Sequence, residues 1–98
     1  MIIVTGSLVA RAETFDEVAA ACIQHSQRSR AEPGCLAHNI HTDLENPLRL
    51  VFVEHWADEA ALRTHFRVPE SGAFVRELRA KCESVSPIGI YATTTIPM

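Results

Sequence analysis

Glu54, Trp56 and His65 are the side chains of this chain best suited to hold and deprotonate an aromatic ring. Trp56 offers a flat apolar face with one N–H donor, fit for stacking on a ring while orienting its oxygen. His65 can exchange a proton near neutral pH. Glu54, two residues before Trp56 and so on the same face of a strand, could orient His65 or bond the turn backbone. Phe52 shares that face, and Phe74 lies on a later helical stripe; with Asn39 on a neighbouring strand, they are the expected substrate contacts. A Trp at a strand end is equally a core residue, and a Glu–His pair can simply tie a strand to a helix.

The elements that must position these groups follow from the pattern. Leu50 to Trp56 is a near-continuous β-branched and aromatic run, the composition of a strand buried on both faces. Asp58 then caps a helix in which Leu62 and Phe66 stand at i and i+4, with His65 beside them. Upstream, residues 2–10 read as a strand interrupted by Gly6 and Ser7, where packing explains a small residue more simply than a ligand does. Thr14 and Glu17 form a capping box for a helix over 15–31. His25 lies beside that helix's apolar stripe and reads as a histidine closing the core. Pro33 and Gly34 fit a type II turn into a strand over 35–43. A polar turn at 43–47 of about five residues closes a hairpin. Pro69 can open a further helix with Phe74, Val75, Leu78 and Cys82 on one side. Ser84 to Pro87 should break it, before a final strand over 88–96.

The order β-α-β-β-α-β predicts an α+β, ferredoxin-like fold: a four-stranded antiparallel sheet with helices on one face. Val51 and Val53 would then form an apolar outer face, and a symmetric homodimer is the simplest way to cover it.

Composition narrows the function classes. Ninety-eight residues, 47% hydrophobic and 21% charged, suit one domain spanning 1–98. A net charge of −3 and scattered basic residues give no field for nucleic acid. No apolar run is long enough to cross a bilayer, and the N-terminal residues lack the charged region of a secretion signal, so no membrane partner and a cytoplasmic location are expected. Cys22, Cys35 and Cys82, without a Cys-x-x-Cys pair, read as buried thiols in a reducing compartment. His38 and His41 point to opposite faces of their strand, His55 stands apart, and no His-x-x-x-His helix occurs; neither metal nor cofactor is expected from spacing.

Glu32-Pro33-Gly34-Cys35-Leu36, then Glu54-x-Trp56, Ala61-Leu62-x-x-His65 and Phe74 together resemble the antibiotic biosynthesis monooxygenase (ABM) domain family over nearly the whole chain. The resemblance implies a dimeric α/β barrel with a pocket between sheet and helices in each subunit. Relatives of this kind oxidise quinols or polycyclic phenols with O2, using neither metal nor flavin; others degrade haem or isomerise small metabolites. Positions that resemble those serving haem in the haem-degrading branch are occupied here by Ser7, His65 and the Phe74–Val75 pair, which speaks against haem. The expectation is a cofactor-independent monooxygenase with His65, Trp56 and Glu54 as catalytic residues and a small aromatic substrate and O2 as partners. An isomerase or lyase of a small metabolite, or a non-catalytic binding dimer, are the alternatives.

Overall fold

The computed structural model describes all residues, 1–98. The elements run β1 (Ile2–Ala10), a 3-10 turn (Ala12–Thr14), α1 (Phe15–Arg30), β2 (Cys35–Asp43), β3 (Asn46–Trp56), α2 (Glu59–Arg67), α3 (Pro69–Lys81), β4 (Cys82–Val85) and β5 (Gly89–Ala92). They form one antiparallel sheet in the order β2-β3-β1-β4, with β5 also on β1. This is the ferredoxin-like α+β arrangement, with five strands instead of four.

The extra strand has a simple cause. Cys82, expected on the last helix, is already extended and pairs with Ala10, so α3 stops at Lys81. Pro87 has no N–H to donate, and the ladder along β1 breaks there. The chain therefore pairs with β1 twice, near Leu8–Ala10 through β4 and near Ile2–Thr5 through β5. The expected long strand over 88–96 is shortened to Gly89–Ala92, after which only Thr93 bonds back, to the Met1 carbonyl.

Other elements follow their sequence signals closely. The Asp58 carboxylate accepts from Ala61 N at 2.9 Å and caps α2, and Pro69 opens α3. Gly34 has φ +82°, and Cys35 N bonds Glu32 O, as in a type II turn. An added Cβ at Gly34 would stand 2.5 Å from Ala61 Cβ, so glycine is required by space as well as by φ. Gly6 makes no bulge: β1 keeps register with β3 from Ile2 to Val9, and a Cβ at Gly6 would come 3.2 Å from Ile88. Thr14 is no N-cap. Its hydroxyl instead donates to Lys81 O at 2.7 Å, satisfying a carbonyl that the end of α3 leaves unpaired. The β2–β3 turn is tighter than the polar run suggested, leaving only Leu44 and Glu45 between strands.

Alternation along β3 sends Leu50, Phe52, Glu54 and Trp56 to the helical side, all buried. Leu8, Val18, Cys22, Leu50, Phe52 and Leu78 anchor one apolar cluster; Ile2, Val4, Trp56 and Leu62 form another. Histidine rings lie between the two, with His25 edge-on to Phe52 and His65 4.6 Å from the Trp56 ring.

Candidate functional site

A cavity of about 450 Å³ opens between the sheet and the helices. Phe52 and Glu54 of β3, His25 of α1, His65 and Phe66 of α2 and Phe74 of α3 are among the residues that line it. Its wall is largely apolar, which is what an aromatic ligand needs.

The Pro33–Gly34 turn places Glu32 beside α2, where its Oε1 accepts from His65 Nδ1 at 2.9 Å. A carboxylate there fixes the proton on Nδ1, so Nε2 is left as the basic nitrogen. His65 is 3% exposed, and the Trp56 indole packs on it. Its ring is therefore held on two sides.

Two further histidines complete the cluster. The buried stripe of α1 is apolar at Val18 and Cys22 but turns polar at His25, Ser26 and Ser29. His25 stacks on Phe74 at 4.1 Å, and the Arg28 guanidinium donates to His25 Nδ1 at 2.6 Å. His38 of β2 pairs with Glu54 in register; its Nδ1 lies 2.9 Å from Ser26 Oγ, while its Nε2 faces Glu54 Oε1 at 3.4 Å without a hydrogen bond. Burial, reinforced by the neighbouring imidazoles, pushes His25 down to about 3 and His38 down to about 4, so both are neutral at physiological pH. Burial raises the Glu54 carboxyl above its ordinary value, opposed by the Trp56 indole N–H that donates to it at 3.0 Å.

The structure thus brings His65, Glu54, Phe52 and Phe74 to one cavity but places two expected residues elsewhere. Trp56 is fully buried beneath the site, where it holds Glu54 and His65 and presents no face to a ligand. Asn39 lies on the outer face of the sheet opposite Val53, exposed, with its Oδ1 accepting from Arg30. It cannot anchor a hydroxyl in this cavity. The orienting carboxylate of His65 is Glu32, where Glu54 had been expected. Glu32, His25 and His38 were not singled out as site residues; register shifts at Cys35/Ala37 and Thr42/Asp43 keep a simple count along the hairpin from setting His38 against Glu54.

The cavity, its buried histidines and the βαββαβ frame coincide with a sequence match: the family model "Antibiotic biosynthesis monooxygenase" covers residues 1–77. The chain belongs to this family. A candidate antibiotic biosynthesis monooxygenase of Deinococcus radiodurans superposes with TM-score 0.92 at 28% identity, covering 100% of this chain and 98% of that one. A conserved protein of Methanosarcina mazei gives 0.87 at 26% identity, over 95% and 92% of the two chains. An uncharacterised protein of Synechocystis sp. is 30% identical over 97% of this chain and 67% of its own length. In this ABM member the positions weighed against haem, Ser7, His65, Phe74 and Val75, all line the cavity.

Proposed function

We propose that this ABM-family protein is a cofactor-independent monooxygenase that oxidises an electron-rich phenol or quinol with O2. The observation that carries the reading is the Glu32–His65 pair at the wall of an aromatic-lined cavity: a base whose proton-bearing nitrogen is fixed and whose other nitrogen is free.

The ring enters the cavity whose wall includes Phe52 and Phe74, and His65 Nε2 takes a phenolic proton. Glu32 stabilises the imidazolium that results. The phenolate gives one electron to O2, and the aryl-oxyl and superoxide radicals combine at a ring carbon. The peroxide formed takes the proton back from His65. Loss of water then leaves a carbonyl, so one oxygen atom enters the product, the other becomes water, and all four electrons come from the substrate. The protein need only bind, deprotonate and keep bulk water away. The imidazolium of His65 balances the charge of the superoxide, and the enclosed cavity discourages its escape.

Oxygen consumption by EDTA-treated protein with a panel of quinols and anthrones tests the reading. Uptake with at least one, falling by about 10² or more in His65→Gln, is expected. Absence of uptake across the panel would overturn it. Turnover that persists under strict anaerobiosis would replace it with an isomerisation or elimination using the same base.

A further inference from the structure

Three imidazoles from three separate elements meet beside the cavity, which His25 and His65 line, and proton abstraction uses only one of them. One ring nitrogen each from His25, His38 and His65 lie within 4.8 Å of one another. Some point therefore lies within about 2.8 Å of all three, and zinc-type ions bind imidazole at about 2.0–2.1 Å. Each nitrogen need move less than about 1 Å. We propose that His25, His38 and His65 form a site for one divalent transition-metal ion of the zinc or cobalt type, with water in the fourth position, and that a bound ion silences His65 as a base.

The hydrogen bonds around the rings support the choice of atoms. His38 Nδ1 pairs with Ser26 and His65 Nδ1 with Glu32, the outer contacts that fix ring orientation in metal-binding histidines. Nε2 is the nitrogen both have to spare. His38 is 0% exposed and its Nε2 has no hydrogen-bond partner, an orphaned nitrogen whose cost a ligand would remove once the ring proton sits on Nδ1. The two carboxylates next to these rings, Glu54 and Glu32, balance a dication. Three imidazoles are a donor set for borderline-soft ions, not for magnesium or calcium.

His25 is the ligand that must be freed. Arg28 donates to its Nδ1, which holds the ring proton on Nε2. For Nε2 to ligate, the proton must move to Nδ1 and Arg28 must withdraw. A shallower cavity lined by Arg28, Glu70 and Glu77 gives the guanidinium somewhere to go. Arg28 is thus an opponent of the ion, and its removal should tighten binding.

The silencing half rests on the proposed oxidation, whereas the binding half does not, and the experiment separates them. Full-length protein stripped with EDTA is titrated with Co2+ and followed by visible absorption. The expected result is one Co2+ per chain with the ligand-field bands of a four-coordinate ion and no thiolate-to-cobalt charge transfer, which rules out the cysteines as ligands. Affinity should fall by roughly 100-fold or more in His38→Gln and in His65→Gln, rise several-fold in Arg28→Leu, and stay unchanged in His41→Gln, whose imidazole lies on the outer face. Circular dichroism verifies that each variant is folded, and either His38→Gln or His65→Gln suffices if the other is not. No four-coordinate spectrum, a thiolate band, or full affinity in the folded histidine variant would overturn the site. With Co2+ bound, oxygen uptake should stop; uptake that continues would overturn the silencing. If uptake is absent with and without the ion, the oxidation reading fails while the spectra still decide the site.

Discussion

Glu32 is the residue whose importance is least visible in its neighbours along the chain, because it serves His65 from across a turn. Glu32→Gln keeps an acceptor for Nδ1–H but removes the charge that steadies the imidazolium. We expect kcat to fall about tenfold or more with KM little changed, as measured by steady-state oxygen uptake. His25 and His38 make a prediction about acid. Their folded values lie below the roughly 6.5 of an unfolded histidine, so below that pH the unfolded chain binds more protons than the folded one. Stability is present in full above about pH 6.5 and is lost as pH falls toward the folded values, on the order of 3–5 kcal/mol by pH 4.5. Urea unfolding of EDTA-treated protein at pH 7 and 4.5 checks this: the difference should shrink in His38→Gln, and equal stability of wild type at both pH values would contradict it. At this scale the sequence was only half legible. His65 and Glu54 stand out because a strand-helix joint places them locally. Glu32, His25 and His38 meet only through contacts between the 32–35 turn, α1, β2 and α2, and helical spacing such as His-x-x-x-His cannot report a cluster built that way.

The elements were legible where their signals are stereochemical. Gly34 shows why: a positive φ and the closeness of Ala61 both demand glycine, and the turn they shape aims Glu32 at α2. Gly34→Ala should cost about 2 kcal/mol or more in chemical denaturation, and kcat should fall with it even where the protein remains folded. Asp58→Ala removes the cap of the helix that carries His65 and should cost about 1 kcal/mol. A larger loss of activity from Gly34→Ala than from Asp58→Ala is expected, since only the former displaces the orienting carboxylate. Elements were misread where tertiary pairing overrides local pattern. Thr14 has the type and spacing of a cap, but its side chain is turned to donate to the Lys81 carbonyl at the end of α3. A bulge between Cys35 and Ala37 leaves Leu36 exposed although strict alternation sets it beside His38. The final run alternates cleanly through Ile96, yet β1 offers partners only as far as Ala92.

Across the whole molecule, the helices cover one face of the sheet and leave Ile3, Val9, Val51 and Val53 on the other, each half-buried within the single chain. No helix is long and apolar enough to cross a membrane. A second copy packed sheet to sheet would cover this outer face, and sedimentation equilibrium should give a dimer at micromolar concentration, with Val53→Asp unfolded or aggregated. A well-folded wild-type monomer would remove the barrel arrangement. That arrangement would close the outer face, whereas the cavity lies on the helical side and contains its own base. The chemistry assigned to it has an isotopic signature that neither isomerisation nor passive binding shares. EDTA-treated protein turning over an accepted quinol or anthrone under 18O2 should give a product carrying one labelled oxygen atom, read by mass spectrometry under conditions of slow carbonyl exchange, with the label lost in His65→Gln along with turnover. Product formed without label from 18O2 would contradict oxygenation at this site.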